Sequence, residues 1–407
     1  MIWEGMKTVV MGLGQFGGGV GVTRWLLKHG AHVVVTDMLS AKELEDSINQ
    51  VGEHPNLKFA LNGHDAVDFS NIDLLVANPA IPNPSQNKFL KLAWSHDVQV
   101  TTEICLLVDR IERLNTIGIT GSTGKSTTAS MIHAAFSFTD TTAWLGGNIG
   151  GSLLEELDQI EKDDVVILEL SSAMLWWLNR HSGGWSPHVA IITNISPNHI
   201  DWHGSFEAYE ECKSFIFKNQ QKEDIAFTKP RLSPFAKLNV LGKHNELNAS
   251  FALDAAMQFD VEESDAIKGI SSFSGLPHRL QRISNAIYND SKSTTPIATE
   301  LAVSSFDNPS AIHLIVGGYD KNIDLTPLAK LSECVGCLYT IGDTGTSIAS
   351  LAKGNVKECK TLDRAVAMAL EGMGTDDILL LSPGCASWDQ FQNYENRGHR
   401  FIELVGK

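Results

Sequence analysis

GITGSTGKST, residues 118–127, lies between an apolar run and a segment of helix-forming residues. Its glycines allow backbone N–H groups to turn inward and surround phosphate oxygens, and the N-terminus of the following helix adds partial positive charge. In such a loop Lys125 contacts the outer phosphates, and the hydroxyl of Ser126 binds Mg²⁺. The stretch therefore predicts a phosphate-binding loop between a buried strand and a helix.

The loop departs from its commonest form at one position. That form has a glycine six residues before the lysine, where this chain has Ile119. The shorter pattern Thr-Gly-x-x-Gly-Lys-Ser is typical of ATP-dependent amide-bond ligases. The departure therefore favours a ligase over a general nucleotide hydrolase.

The composition is that of an ordinary soluble enzyme. Of 407 residues, 43% are hydrophobic and 20% are charged, which fits two to three globular domains. The net charge, 32 − 48 = −16, disfavours non-specific binding of nucleic acid. No apolar run is long enough to span a membrane, no signal-peptide pattern is present, and six cysteines do not suggest a disulfide scaffold. We expect a cytoplasmic monomer that neither binds nucleic acid nor inserts into a membrane.

The first block of the chain carries a nucleotide-binding fingerprint. An apolar strand, Thr8 to Leu13, overlaps the turn Gly12-Leu-Gly-Gln-Phe-Gly17, and a helical stretch and a second strand, Ala31 to Thr36, follow. The second strand ends at Asp37, where such folds place an acid for the ribose. The fingerprint indicates that a nucleotide or diphosphate approaches the turn, and it leaves NAD open as the ligand.

Two strands of the second block end in residues suited to metal binding. Asp164 to Leu170 reads as a buried parallel strand with Glu169 near its carboxyl end, where a carboxylate is costly unless it is paired or metal-bound. The next strand, Val189 to Thr193, is followed by His199. If the two strands are neighbours, His199 lies beside Glu169, and with a Mg²⁺-nucleotide loop in the same sheet we expect both to bind metal.

Three other features of this block suit ligand binding. A glycine-rich turn, Gly146 to Gly150, can approach a ligand closely, and a helix from Phe206 to Phe217 carries Lys213. Taken alone, Lys213 reads as a surface lysine. Asn245 and Asn248 are three residues apart in a helical segment, so they share a face and can hydrogen-bond a purine base.

The third block again alternates strands with helices. Polar clusters follow its strands at Asn289 to Thr294, at Gly317 to Lys321 and at Ser382 to Ser387. The alternation predicts a doubly wound sheet, in which ligands bind beyond the carboxyl ends of the strands. Each polar cluster occupies that position.

Together and in this order, the clusters resemble the Mur ligase family over nearly the whole chain. Within that family, the fingerprinted first block is similar to the members that add D-glutamate to UDP-N-acetylmuramoyl-L-alanine. The motifs that carry the resemblance are TGSTGKST at 120–127, GNIG at 147–150, ELSS at 169–172, HNELN at 244–248, GLPHR at 275–279, NDSK at 289–292, SPGCAS at 382–387 and DQFQNYENRG at 389–398.

The resemblance implies an α/β fold of three domains. Residues 1–99 would form a Rossmann-like domain that binds the UDP substrate. Residues 100–275 would form a central ATP-binding domain with the phosphate loop and a mostly parallel sheet. Residues 276–407 would form a Rossmann-like domain that binds the amino acid.

The resemblance also implies a reaction and a set of site residues. ATP would phosphorylate the substrate carboxylate, a poor electrophile, and the amine of D-glutamate would attack the acyl phosphate, so that stabilising the moving phosphoryl group is the main task.

The resemblance assigns the site residues as follows. Lys125, Glu169, His199 and Lys213 would be catalytic, and Ser126, Glu169, His199 and a carbamylated Lys213 would hold two Mg²⁺ ions. ATP would contact Gly121, Ser122, Thr123, Gly124, Lys125, Ser126, Thr127, Asn245, Asn248, Arg279 and Asp290. The UDP substrate and D-glutamate would contact Gly14, Gln15, Phe16, Asp37, Asn148, Thr294, Lys321, Ser387 and Tyr394.

The chain departs from the family pattern near the nucleotide handle of the substrate and beside His199. Phe16 stands where a hydroxyl residue often holds the diphosphate, Met38 follows Asp37 where polar residues are common, and Asn198 and Trp202 replace a usual Asp and Arg. The alternatives are a folylpolyglutamate synthetase-like ligase, a non-catalytic nucleotide-binding homologue and an NAD-dependent oxidoreductase. The last would leave the phosphate loop without a role.

Overall fold

The computed structural model describes residues 3–15, 17–196, 200–231, 235, 238–321 and 323–406. They form parallel sheets flanked by helices, which confirms the α/β class. The chain divides into two compact units: Met1–Ser233 with Asn248–Ile270, and Pro234–Leu247 with Ser271–Lys407. The predicted domain boundaries at 99 and 275 stay predictions.

The first sheet has five parallel strands in the order β3-β2-β1-β4-β5. Its three central strands are mostly buried, because helices cover both faces of such a sheet. The strand order reverses beside the first strand, and in folds of this kind ligands bind at the carboxyl ends of the strands at such a point. The elements are β1 (Lys7–Met11), α1 (Gly18–Lys28), β2 (His32–Thr36), α2 (Glu45–Val51), β3 (Leu57–Ala60), β4 (Leu74–Ala77), α3 (Lys88–Ser95) and β5 (Gln99–Thr101).

The second sheet also has five parallel strands, in the order β10-β9-β6-β8-β7. Its central strand leads into the phosphate loop, and the division between the two compact units falls within α9. The elements are α4 (Glu103–Val108), β6 (Thr116–Thr120), α5 (Lys125–Ala135), β7 (Ala143–Gly147), β8 (Val165–Glu169), α6 (Ser172–Leu178), β9 (Val189–Ile192), α7 (Ile200–His203), α8 (Phe206–Lys218), β10 (Ile225–Phe227), α9 (Lys243–Ala256) and α10 (Glu263–Ser272).

The condition on which His199 would lie beside Glu169, that the strands before them are neighbours, is not met. β6 lies between β8 and β9 and pairs with both. The phosphate loop therefore leaves the sheet between the ends of these two strands. His199 itself lies outside the described residues.

The third sheet belongs to the second unit and has six strands in the order β11-β12-β16-β13-β14-β15. Its pairs are parallel except that β11 runs antiparallel to β12 at one edge. The elements are β11 (Gln281–Ser284), β12 (Ile287–Asn289), α11 (Pro296–Ser304), β13 (Ile312–Gly317), α12 (Thr326–Lys330), β14 (Cys337–Ile341), α13 (Gly345–Leu351), β15 (Val356–Lys360), α14 (Leu362–Gly372), β16 (Ile378–Leu381) and α15 (Tyr394–Val405).

One apolar core joins the first two sheets within the first unit. It includes Val9 and Leu26 from the first sheet and its helix, and Leu154, Leu168 and Trp177 from the central part. These side chains form a single buried cluster, so the glycine-rich fingerprint and the central sheet rest on the same packed interior. Among the described residues, none of the helices combines the length and apolar character needed to cross a bilayer.

Helix α1 packs very closely on the segment that follows the glycine-rich turn of the central sheet. A Cβ added to Gly21 would lie 2.3 Å from Cβ of Ser152, whereas one added to Gly18, in the same helix, would meet nothing within 4 Å. Alanine normally stabilises a helix interior by about 1 kcal/mol over glycine. The overlap at Gly21 exceeds that gain, because overpacking costs about 1–3 kcal/mol.

We predict that Gly21→Ala lowers the melting temperature while Gly18→Ala does not. Thermal unfolding of the two variants and the parent chain measures the difference. Equal melting temperatures for both variants would contradict the close approach of α1 to Ser152.

Candidate active site

The phosphate loop connects β6 to α5 through residues 121–124. Gly121 and Gly124 have φ values of +152° and +83°, which favour glycine. A Cβ on Gly121 would lie 2.0 Å from Oγ1 of Thr193, and one on Gly124 would lie 2.7 Å from Oδ1 of Asn248. Both glycines are therefore required by close neighbours as well as by the backbone turn.

The segment after β9 holds the middle of this loop. The Thr193 hydroxyl donates to the carbonyl of Thr123 at 2.6 Å, and Nδ2 of Asn194 donates to the same oxygen at 3.0 Å. In return, the backbone N–H of Thr123 donates to Oδ1 of Asn194 at 3.1 Å. Sequence analysis missed both residues, although their position directly after a strand of the same sheet was a usable signal.

Tyr209 adds a second clamp on the loop. The hydroxyl of Ser122 donates to the carbonyl of Ser196 at 2.9 Å and accepts from its N–H at 2.9 Å. The same hydroxyl lies 3.0 Å from the hydroxyl of Tyr209. Tyr209 is buried on α8, and its ring lies 4.6 Å from Nζ of Lys213, so one helix face supplies both residues.

Two lysine side chains converge on one backbone oxygen. Nζ of Lys125 donates to the carbonyl of Gly121 at 3.0 Å, and Nζ of Lys213 donates to the same oxygen at 2.9 Å. Lys213 is only 2% exposed, so its reading as a surface lysine is wrong. Burial, and next the positive charge of Lys125, lower the pKa of Lys213 to about 7, because the charged form loses hydration. Lys213 is therefore available as a neutral amine near neutral pH.

Glu169 presents a carboxylate oxygen that suits a metal ion. The side chain is 2% exposed, and Oε1 accepts a hydrogen bond from Nδ2 of Asn148 at 3.1 Å. Within the described part of the chain, Oε2 is buried and has no hydrogen-bond partner. A buried, unpaired carboxylate oxygen is costly unless a cation binds it. The residue therefore fits the Mg²⁺ role that the sequence predicts.

The rest of the predicted metal set is only partly described. Ser126 lies in the first turn of α5, and the electrostatic field of Glu169 acts on Lys213, which places the two side chains in one environment. The described residues hold no group of three or more His, Cys, Asp or Glu side chains that would form a metal site. The metal set of Ser126, Glu169, His199 and Lys213 stays a prediction, since His199 lies outside the described residues.

The glycine-rich turn after β7 is built onto Glu169. The backbone N–H of Asn148 donates to the carbonyl of Glu169 at 2.8 Å. Gly147 has a φ of +88°, and a Cβ there would lie 2.3 Å from the same carbonyl oxygen. Glycine is thus required at this position, and Asn148 is brought to the Glu169 carboxylate.

The two asparagines predicted to contact adenine have different partners. Oδ1 of Asn248 accepts a hydrogen bond from the hydroxyl of Thr128 at 3.3 Å, beside the end of the phosphate loop. Nδ2 of Asn245 donates to the carbonyl of Leu241 at 2.6 Å. Both side chains are buried, and their contact with a purine stays a prediction.

In the first sheet, Asp37 closes the fingerprint turn. Its Oδ2 accepts from the N–H of Gly14 at 3.0 Å, and Oδ1 accepts from the N–H of Leu39 at 2.9 Å. Gln15 donates to the carbonyl of Glu43 at 2.9 Å. Each carboxylate oxygen can accept a second hydrogen bond, so Asp37 retains capacity for a ribose or base. Phe16 and Asn198 lie outside the described residues.

In the second unit, Asp290 joins the ends of two strands. Its Oδ1 accepts from the N–H of Leu280 at 3.0 Å, and Oδ2 accepts from the hydroxyl of Ser382 at 2.7 Å. Burial raises the pKa of Asp290 to about 6. Arg279 is exposed nearby and its positive charge opposes that shift. Asp290 therefore holds the loops at the carboxyl ends of these strands together, and its carboxylate is also a candidate ligand contact.

Arg397 is a buried anchor that sequence analysis did not single out. Its guanidinium donates to the carbonyl of Ser291 at 2.8 Å, to that of Cys385 at 3.1 Å and to that of Ala386 at 3.2 Å. The side chain is fully buried, and burial lowers its pKa to about 10. One arginine thus fixes two strand-end loops. Its position within the residue 389–398 motif was the available signal.

The residues predicted to bind the amino acid lie on loops that these contacts join. The N–H of Gly384 donates to the carbonyl of Ser293 at 2.9 Å, next to Thr294. Nζ of Lys321 lies 4.6 Å from the ring centre of Trp388, which follows the buried Ser387. Tyr394 begins α15, and the Ser291 hydroxyl donates to its carbonyl at 2.8 Å. These residues are therefore held on loops at the carboxyl ends of the strands of the third sheet.

The chain is similar to known proteins in sequence and in fold. The model of the Mur ligase middle domain matches residues 119–232. The UDP-N-acetylmuramoylalanine–D-glutamate ligase of Ligilactobacillus salivarius (strain UCC118) is 32% identical over an alignment that covers 100% of this chain and 97% of the relative. That of Borreliella afzelii (strain PKo) is also 32% identical, covering 99% of this chain and 98% of the relative.

Two solved structures show the same fold at low sequence identity. UDP-N-acetylmuramate–alanine ligase (MurC) from Thermotoga maritima superposes with a TM-score of 0.59 and 17% identity, covering 98% of this chain and 99% of that one. MurF from Acinetobacter baumannii superposes with a TM-score of 0.55 and 14% identity, covering 99% and 94%. The three-domain α/β architecture is therefore shared with these ligases.

We predict that Lys213→Met stabilises the protein at pH 7. The folded-state pKa of Lys213, about 7, lies below its ordinary value of 10.5. Between these values the unfolded chain binds a proton that the folded chain does not, so the cost of burying Lys213 grows as the pH falls from 10.5 to 7 and is absent above 10.5. Chemical unfolding in CO₂-free buffer at several pH values measures the difference from the parent. A stability gain that does not shrink toward pH 10 would contradict the lowered pKa.

Proposed function

This chain belongs to the Mur ligase family, and we propose that it adds D-glutamate to UDP-N-acetylmuramoyl-L-alanine with ATP, in the synthesis of peptidoglycan precursors. The observation that carries the proposal is the convergence of Lys125 and Lys213 on the phosphate loop next to Glu169. This set suits phosphoryl transfer to a carboxylate and supplies no site for hydride transfer. We include a cytoplasmic location and a monomeric state in the proposal, since the substrates are polar and the chain carries a net charge of −16.

In the proposed reaction, the loop backbone and Lys125 orient ATP and stabilise the phosphoryl group as it moves. The N-terminus of α5 adds positive potential at the same place. The acceptor is the terminal carboxylate of the UDP substrate. A carboxylate oxygen attacks the γ-phosphorus of ATP, and the bond from this phosphorus to the bridging oxygen breaks. ADP departs, and the substrate carboxylate has become an acyl phosphate.

Glu169 and Ser126 are the described side chains proposed to hold Mg²⁺. The ion, when bound, neutralises the charge that develops on the transferred phosphoryl group. Asn148 donates a hydrogen bond to Oε1 of Glu169, so Oε2 is the oxygen proposed to bind the metal ion. We retain His199 as a ligand of a second ion on the family pattern alone.

Lys213 is proposed to act as a carbamate. Its amine attacks CO₂, a nitrogen–carbon bond forms, and one proton is released, so the ammonium is replaced by a carboxylate-like anion. The reaction needs the neutral amine, which the lowered pKa of Lys213 provides near neutral pH. The new anion would lie beside Glu169 and the ammonium of Lys125, where a divalent cation favours negative oxygen ligands.

The edge of the third sheet is proposed to select the amino acid. D-glutamate carries two carboxylates, and burying them requires cationic or hydroxyl partners. Lys321 supplies positive charge, and Thr294 and Ser387 supply hydroxyls from two other strand ends. The amine then attacks the acyl carbon, the tetrahedral intermediate expels phosphate, and one proton is lost as the amide forms.

We predict phosphate release only when ATP, Mg²⁺, UDP-N-acetylmuramoyl-L-alanine and D-glutamate are all present. Lys125→Ala and Lys213→Ala should each lower kcat by at least roughly a hundredfold, because both remove stabilisation of the transferred group. Lys218→Ala, an exposed lysine on the same helix as Lys213, is the matched control. Full activity of Lys213→Ala would exclude the carbamate, and phosphate release without D-glutamate would exclude the ligase.

We predict that Lys321→Ala and Ser387→Ala raise KM for D-glutamate by roughly tenfold or more while KM for ATP stays close to that of the parent. The reason is the loss of hydrogen bonds to a charged carboxylate, each contributing about 1.5–3 kcal/mol. Steady-state kinetics with each substrate varied in turn measures the effect. If both variants weakened ATP alone, the amino-acid pocket would lie elsewhere.

A further inference from the structure

A buried carboxyl group outside the reaction centre accepts a hydrogen bond from the segment that follows β7. Glu103 begins α4, directly after the last strand of the first sheet, and it is 8% exposed. Its Oε1 accepts a hydrogen bond from the hydroxyl of Ser152 at 2.5 Å. Burial raises the pKa of Glu103 to about 7, so this acid is kept at a cost in stability. None of the proposed chemical steps uses it.

Ser152 directly follows the glycine-rich turn of residues 147–151. Gly147, Gly150 and Gly151 have φ values of +88°, +80° and +94°, and glycines in this region leave the backbone free to adopt many conformations. The beginning of the turn is fixed by the hydrogen bond between the N–H of Asn148 and the carbonyl of Glu169. Its end is fixed where Ser152 donates to Glu103 and accepts from the N–H of Leu154 at 3.3 Å.

The first sheet's fingerprint lies against the same turn. A Cβ on Gly17, the last glycine of the fingerprint, would lie 3.8 Å from Cα of Gly151. Gly21, one helical turn later, leaves room for Ser152. The position of Ser152 therefore determines how the turn that carries Asn148 meets the nucleotide-binding end of the first sheet.

We propose that Glu103 is a positioning residue for the ligase reaction, which through Ser152 fixes the turn that presents Asn148 to Glu169 and to the UDP substrate. The inference rests on the proposed function. Physically, a turn with three glycines samples many conformations unless both ends are held, and binding must then restrict it at a cost in affinity. The hydrogen bond from Ser152 to Glu103 removes that cost in advance.

Kinetics of four variants and one control variant test the proposal. Glu103→Ala and Ser152→Ala should each raise KM for UDP-N-acetylmuramoyl-L-alanine roughly tenfold, with KM for ATP and for D-glutamate changed less than about twofold. The double variant should show no further rise, because both changes break one contact. Glu103→Gln should keep the parent KM, because its amide oxygen still accepts from Ser152. Glu155→Ala is the matched control: it breaks the ion pair with Arg24 just beyond the turn and should leave all three KM values unchanged.

An unchanged KM in Glu103→Ala, or an equal rise of all three KM values, would show that Glu103 serves only general stability.

Hydrogen exchange gives a readout that does not depend on activity. The amides of residues 148–151 should exchange at least roughly tenfold faster in Glu103→Ala and Ser152→Ala than in the parent and in Glu155→Ala, and equal exchange overturns the proposal. A parent protein without ligase activity refutes the proposed function, while the exchange result still decides whether Glu103 holds the turn. If Glu103→Ala does not fold, Ser152→Ala carries both tests.

Discussion

The close approach of distant segments to the phosphate loop is the constraint on which the central site depends. Thr193 and Asn248 occupy the space that a Cβ on Gly121 or Gly124 would need. The loop is therefore shaped by strand β9 and helix α9 as much as by its own sequence. Because its backbone is held in advance, little conformational entropy remains to be lost when phosphates bind.

Burial turns ordinary side chains at this site into chemically useful ones. Lys213 loses hydration and becomes a neutral amine near pH 7, and Glu169 keeps one oxygen without a hydrogen-bond partner in the described part of the chain. Both features cost stability, since charged and polar groups are poorly accommodated in a packed interior. The large apolar core shared by the first two sheets offsets that cost. Function and stability thus oppose each other at Lys213 and Glu169.

Much of the fold was predictable because local patterns agree with the final structure. Strand β9 (Val189–Ile192) ends one residue before the predicted strand does, and α8 extends the predicted helix by one residue. Continuous apolar runs identify strands buried on both faces, and the phosphate loop identifies itself by its glycines and lysine. Short edge elements such as β10 (Ile225–Phe227) were missed, because three residues give too little periodicity.

By itself, then, the sequence determined the α/β class, the polar clusters that follow the strands and the phosphate loop with Lys125. The tertiary structure alone decided which strand ends meet: β6 separates β8 from β9, and no local pattern encodes that order. It also decided burial, which makes Lys213 an interior amine and Arg397 an anchor of two loops. Burial and contact arise from residues far apart in the chain, whereas sequence patterns report only near neighbours.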